Sequence, residues 1–304
     1  MKWEKLGVID VSGRCEWMMS HAQNPFAELV NGSIYKIHFA PRDKFNRARG
    51  GWVVIDIKDP LKILEISKSP SIDLGKLGCF DDCGVMPSCI TEYEGKQFMY
   101  YTGWSKAVVT PFTFYIGLLI SSDDELHYER YSLAPVLGRS YHDPYLTASP
   151  WVLRDGDVWM MWYVSCVKWD FVDGEPKPKH YYHIKYAESK DGLVWDNSGI
   201  VCIDFKKDEY AIARPTVRKE DGIYKMWYCY RGGTGTYRAG YAESYDGKEW
   251  EREDHTVGID VSEKGWDSEM LCYPCVLKHG DAEFLLYNGN DFGRTGFGIA
   301  RRIK

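Results

Sequence analysis

Residues 215–228, PTVRKEDGIYKMWY, and residues 240–250, GYAESYDGKEW, decide the fold of this chain. The first stretch is two short runs rich in β-formers on either side of Asp221-Gly222, a pair that tolerates the positive φ of a two-residue hairpin turn. The second repeats the arrangement around Asp246-Gly247. Together they make one unit of four antiparallel strands.

The unit recurs along the whole sequence. Residues 25–39 (PFAELVNGSIYKIHF), 87–101 (PSCITEYEGKQFMYY), 150–163 (PWVLRDGDVWMMWY) and 274–287 (PCVLKHGDAEFLLY) each place a proline, an apolar run, a turn containing Gly and an aromatic run in the same order. The prolines stand roughly 60 residues apart, a period characteristic of stacked supersecondary units. Residues 186–195 (YAESKDGLVW) repeat the second hairpin closely, and the first two units carry weaker copies. Four-stranded units set around an axis form a propeller, so five units predict a five-bladed β-propeller of the all-β class.

The two ends of the sequence fit one ring. The fifth unit stops at GFGIARRIK, a third strand with no fourth. The opening WEKLGVID matches the fourth strands that begin at Trp195 and Trp250. The N-terminal ten residues are therefore expected to complete the last blade, removing two open sheet edges. No linker or low-complexity tract interrupts the chain, and one domain over 1–304 is the expectation.

Composition narrows the function classes. Hydrophobic residues reach 44% and aromatics 15%, with 12 Trp and 22 Tyr, which suits both an all-β core and ring stacking on sugars. The formal net charge of −6, with no basic stripe, argues against nucleic acid as a partner. No apolar run has the length of a membrane span, and the N-terminus lacks the apolar stretch of a secretory signal. Nine scattered cysteines do not form a disulfide framework; they are expected to be buried small apolar residues of a cytoplasmic protein. No spacing of His, Cys, Asp and Glu marks a metal site, and neither metal nor cofactor is expected.

Propeller geometry places the connections into each first strand, and those between second and third strands, on one face of the disc, where binding sites are expected. The connections into the first strands carry Asp81, Asp82, Asp143, Glu209 and Glu269 a few residues before the repeat prolines, with His21 in the remaining blade. Convergence of these groups on one mouth would let crowding split their pKa values into an acid and a base. The structural alternative is that the Phe-Asp and Trp-Asp pairs merely fix a loop to a strand. The connections between second and third strands add Trp104 and Trp169 as stacking rings, and Arg42, Arg47, Arg231, Arg238 and Arg294 as candidates for an anionic group.

The repeat pattern carried by 150–163, 186–195, 215–228 and 240–250 is similar to that of the arabinanase, levansucrase and invertase superfamily. These are five-bladed propellers that include glycoside hydrolase families 32, 43 and 130. The resemblance implies glycoside chemistry with carboxylates one or two residues before the first-strand proline in blades one, three and four. Those positions hold Asn24, Ser149 and Ala213-Arg214, none of them acidic. Asn24-Pro25 also resembles the Asn-Pro of the family 130 phosphorylases.

Three readings follow. In the first, a glycoside hydrolase-like enzyme uses displaced carboxylates, Glu209 as acid and Asp82 or Asp143 as base. His21, Asn24, Asp81, Glu269, Arg214, Arg42, Arg47, Trp104 and Trp169 would then hold the substrate. In the second, a phosphorylase or related enzyme acts on phosphorylated or nucleotide-linked sugars. In the third, a propeller binds a glycan or protein without catalysis.

Overall fold

The computed structural model describes residues 1–122, 127–172, 174, 176–233 and 235–303. Residues 123–126, within the second hairpin of the second unit, and residues 173, 175 and 234, within two of the connections read as part of the mouth, lie outside the described residues.

Strand β1 (Trp3–Asp10) comes first in the chain and last in the ring. Blade 1 holds β2 (Ser20–Asn31), β3 (Ile34–Arg42), β4 (Gly51–Asp56) and β5 (Asp59–Ile66). Blade 2 holds β6 (Gly84–Tyr93), β7 (Lys96–Lys106), β8 (Phe112–Ser121) and β9 (Tyr128–Arg130). Blade 3 holds β10 (Thr147–Asp155), β11 (Val158–Asp170), β12 (Lys179–Ser189) and β13 (Val201–Ile203). Blade 4 holds β14 (Ala211–Glu220), β15 (Ile223–Arg231), β16 (Arg238–Ser244) and β17 (Glu251–Arg252). Blade 5 holds β18 (Cys272–His279), β19 (Ala282–Asn288) and β20 (Gly296–Arg302), and β1 pairs antiparallel with β20 from Trp3–Arg302 to Asp10–Gly296. The expected closure is thus present. The innermost strands β2, β6, β10, β14 and β18 each touch the next, and β18 touches β2, so they ring the axis.

The motifs that revealed the repeat also join the blades. In the turn after β12, Ser189 Oγ accepts from the Asp191 and Gly192 amides, and Asp191 Oδ1 accepts from Leu193 and Val194. Ser244 and Asp246 repeat these bonds in blade 4. Each turn then takes a bond from the blade before it: Tyr100 Oη donates to Gly192 O at 2.6 Å, and Trp162 Nε1 to Gly247 O at 2.7 Å. Trp195 meets Tyr100 edge-on, and Trp250 meets Trp162 in the same way. The Ser-x-Asp-Gly-x-x-Trp pattern is therefore a clasp, and the apolar clusters lie between neighbouring blades. At the seam, Trp3 is buried and its Nε1 donates to Val257 O at 2.8 Å.

Two expectations are corrected. All nine cysteines are free, but Cys15, Cys79 and Cys83 are only half-buried. The stretches following Thr102 and Lys168, expected to be loop, begin as strand. β7 runs to Lys106 and β11 to Asp170, because Phe112, Phe114, Tyr181 and Tyr182 continue the ladder opposite them.

Candidate functional site

All five blades contribute to one cavity of about 310 Å³ at the face where the innermost strands begin. Its floor is built by a repeated backbone device. The residue before the repeat proline has positive φ in four blades: Asn24 (56°), Ser149 (48°), Arg214 (56°) and Tyr273 (54°). The strand register shifts at each of these points. A proline crowds the preceding residue out of the right-handed helical region, and a bulge re-aims the side chain it carries. Asn24, Ser149 and Tyr273 thereby line the cavity. Met86 lines it in blade 2 without a positive φ.

Among the described residues, no Asp or Glu lines the cavity, whereas Arg42 and Arg231 do. Arg42 Nε donates to Gln23 Oε1 at 2.9 Å and its Nη1 to Asn46 Oδ1 at 2.8 Å, both neutral partners. Burial lowers the Arg42 pKa. Arg231 lies over the rings of Tyr237 (4.8 Å) and Tyr210 (5.0 Å), two cation–π contacts. Its Nη2 donates to His180 Nε2 at 3.3 Å. Burial works against the Arg231 charge, but the phenols of Tyr237, Tyr182 and Tyr210 raise its pKa on balance. Burial and then Arg231 push His180 down to about 3, so this imidazole is neutral at ordinary pH. Neither guanidinium forms an ion pair with a carboxylate among the described residues.

The expected gathering of acids does not occur. Asp143 is wholly buried and accepts from Tyr163 Oη (2.9 Å), Ser165 Oγ (2.5 Å), Asn197 Nδ2 (2.6 Å) and Lys185 Nζ (3.3 Å). Asp81 is buried against Tyr101 Oη (3.0 Å) and Arg130 Nε (2.8 Å). Asp267 repeats the arrangement with Tyr287 Oη (3.1 Å) and Lys5 Nζ (2.7 Å). In all three the Tyr follows the Asp by 20 residues and ends the aromatic run of the repeat. In blade 4 the equivalent Tyr228 bonds Asp254 instead. Each acid therefore anchors its connection to its own blade.

The other carboxylates are placed no nearer. Glu209 forms a two-pronged pair with Arg252 at 2.8 and 2.9 Å. Asp82 accepts from Ser105 Oγ and the Gly78 amide; burial raises its pKa, but these bonds lower it on balance. Glu269 is exposed, and its backbone amide donates to Asn290. The pairing that glycosidic cleavage needs, two carboxyl groups facing one bond, is not formed by Glu209, Asp82 and Asp143.

The binding candidates divide. Asn24, Arg42 and Trp104 line the cavity. Trp104 fits because Gly84 lies opposite it with no Cβ; one added there would sit 1.6 Å from the indole nitrogen. Trp169 does not line the cavity but packs edge-on against Phe112 (5.4 Å) and His180 (5.1 Å). Arg47 is paired with Asp43. His21 bonds Ser20 Oγ, and burial with Arg42 and Arg294 nearby holds its pKa at about 4. Arg214 is wholly buried, because its bulge turns it across the ring to donate to Ser88 O at 2.8 Å. Burial lowers its pKa, and its Nε and Nη1 have no partner among the described residues. The sequence reading did not single out Tyr273, Phe112, Phe114, His180 and Tyr182 as site residues. Tyr273 alone carried a signal, its place before a repeat proline.

No known family profile matches the chain. It is 41% identical over 302 residues to the uncharacterized proteins MT1551 and Rv1502 of two Mycobacterium tuberculosis strains, each alignment covering 99% of both chains. Among solved structures it is similar to a complex of BT0996 with RGII, with a TM-score of 0.76 at 16% identity over 99% of this chain and 91% of the other. A thermostable family-43 glycoside hydrolase matches with a TM-score of 0.66 at 17% identity, covering 96% of this chain and 90% of the other. The GH32 β-fructofuranosidase BmSUC1 of Bombyx mori matches with 0.67 at 14%, covering 96% and 62%. These likenesses establish the fold, that of the glycoside hydrolase propellers which the repeat resembles.

Proposed function

The chain belongs to one family with the Mycobacterium tuberculosis proteins MT1551 and Rv1502, and we propose that it recognises a carbohydrate bearing a phosphate or carboxylate group in the five-blade cavity, without the paired carboxylates of glycoside hydrolysis. The reading rests on one observation: the cavity presents Arg42 and Arg231 and no carboxylate among its lining residues. Guanidinium groups match planar or tetrahedral oxyanions with two parallel bonds. The carbohydrate part of the reading draws on the fold neighbours, which are named as glycoside hydrolases.

The test is calorimetric titration of the full chain with sugar acids, sugar phosphates and the corresponding neutral sugars. Anionic forms should bind at least about 10-fold more tightly, since one hydrogen bond to a charged group contributes roughly 1.5–3 kcal/mol. Arg231→Gln and Arg42→Gln should each erase most of that preference. Equal affinity for neutral and anionic sugars would reject the proposal. So would steady hydrolysis of glycosides that is abolished by Glu209→Gln.

A further inference from the structure

The cavity has two unlike walls. Blades 4, 5 and 1 line it chiefly with Arg231, Tyr273, Gln23, Asn24, Arg42 and Asn46, alongside Ala213 and Phe292. Blades 2 and 3 line it chiefly with Met86, Trp104, Phe112, Phe114, Leu146 and Val164. On the second wall Phe112 and Phe114 stack at 4.4 Å and 15°. Trp169 and His180 close edge-on around Phe112 at 5.4 and 5.6 Å, which fixes the platform.

The polar side chains of this wall are Thr102, Ser149, His180 and Tyr182, and all but the Ser149 hydroxyl have partners among the described residues, Tyr182 with Tyr237. Thr102 Oγ1 accepts from the Ser149 amide at 2.7 Å, and His180 Nε2 faces Arg231. A pyranose carries hydroxyls around its whole rim. Laid on this wall by a C–H face, as sugars stack on rings, it would still turn axial and some rim hydroxyls toward a surface with few free partners. A flat heteroaromatic ring would not, because its faces stack on aromatic side chains while its polar edge stays toward the opening.

The polar wall has the opposite character. Arg42, Arg231 and Tyr273 line it together, and burial raises the Tyr273 pKa well above its usual value, so the phenol keeps its proton. The Tyr273 hydroxyl itself makes no hydrogen bond to the described residues, which leaves it as a donor beside the two cavity arginines. A compact polyanion fits there. The cavity, of about 310 Å³, is at the low end for ligand sites and opens to solvent, so a ligand's polar end can extend out of it.

Building on the anionic-carbohydrate reading, we propose that the ligand is a nucleotide-linked sugar. Its base lies on the Phe112–Phe114 platform beside Trp104, and its phosphates lie between Arg42, Arg231 and the Tyr273 hydroxyl.

The experiment titrates the full chain with UDP-glucose, GDP-mannose, the matching sugar 1-phosphates and farnesyl phosphate, and reads affinity by calorimetry. At least one nucleotide sugar should bind about 10-fold or more tightly than its sugar 1-phosphate, the increment expected of one stacked base. Phe112→Leu, which keeps apolar bulk but removes the ring, should erase that increment, bringing the ratio of nucleotide sugar to sugar 1-phosphate affinity to about twofold or less. Phe114→Leu provides a second variant, and near-UV circular dichroism identifies folded protein. Nucleotide sugars that bind no better than sugar 1-phosphates would overturn this inference while leaving the anionic reading intact. Farnesyl phosphate binding more tightly than every nucleotide sugar would do the same. Failure of all phosphate and carboxylate ligands would defeat both.

Discussion

Replacing Asp143 with Asn separates an anchoring role from a catalytic one. In the fold, this carboxylate is wholly buried and accepts five side-chain hydrogen bonds, one of them from Lys185, whose side chain is 9% exposed. Asn preserves the size but removes the charge, and its amide presents donors toward groups that are themselves donors. Lys185 is then left nearly buried without its counter-charge. Breaking a buried pair in this way costs about 3–5 kcal/mol, against a total stability of roughly 5–15 kcal/mol. With a urea dependence of about 3 kcal/mol per M, the unfolding midpoint should fall by about 1 M or more. The measurement is urea unfolding followed by tryptophan fluorescence, alongside titration with the anionic ligand at low temperature where the variant is folded. The midpoint should drop while ligand affinity stays within about twofold. A variant as stable as the parent but unable to bind or turn over its ligand would refute the placement of Asp143 as an anchor, and with it the same argument for Asp81 and Asp267.

Three other perturbations probe different parts of the structure. Deleting residues 1–10 removes β1 and opens the edge of β20; the protein should melt at markedly lower temperature and aggregate on size-exclusion chromatography, as unpaired edges do. Gly84→Ala puts a methyl group onto the Trp104 indole, so Trp104 must move; binding should weaken several-fold with the fold retained, measured by calorimetry and far-UV circular dichroism. Affinity for a sugar carboxylate should stay flat from pH 8 to pH 5, because burial together with arginine charges holds His180 at about 3 and His21 at about 4, both neutral throughout. Stability behaves differently. Both histidines have folded pKa values below the unfolded value of 6.5, so protonation favours the unfolded chain; their contribution is complete above pH 6.5 and is lost as pH falls toward 4, which thermal melts across that range should show.

The blades, their number and the closure at β1 were legible because they depend on local chemistry: a turn pair at positive φ, an alternating strand, a tryptophan after Asp-Gly. The position of the cavity followed from the same geometry. The side chains facing it did not, since a few residues of connection before a repeat proline do not fix a direction, and the bulge at Asn24, Ser149, Arg214 and Tyr273 re-aims each one. One clue to the acids was nonetheless in the sequence. Asp81, Asp143 and Asp267 each precede by 20 residues the Tyr that closes an aromatic run; in blade 4 Asp208 has the same spacing to Tyr228, which bonds Asp254 instead, and in blade 1 the position is Phe39, with no acid waiting for it. The third strands agree: Gly117, Gly240 and Gly298 leave room for the Tyr ring opposite them, and where blade 3 has Lys185 instead, the lysine reaches Asp143.

The positive character of the cavity is the result of that pairing, and a net charge of −6 conceals it. Asp81 and Asp143 are bound to tyrosines and to Arg130 and Lys185, Asp82 to Ser105 and the Gly78 amide, and Glu209 to Arg252. Arg42 and Arg231 are held by neutral side chains and aromatic rings. Aromatic faces and amide oxygens orient a guanidinium without neutralising it, so its charge remains available to a ligand. A sequence shows how many charges a chain carries; which of them survive pairing depends on the folded neighbours, and among the described residues lining this cavity those that survive are Arg42 and Arg231.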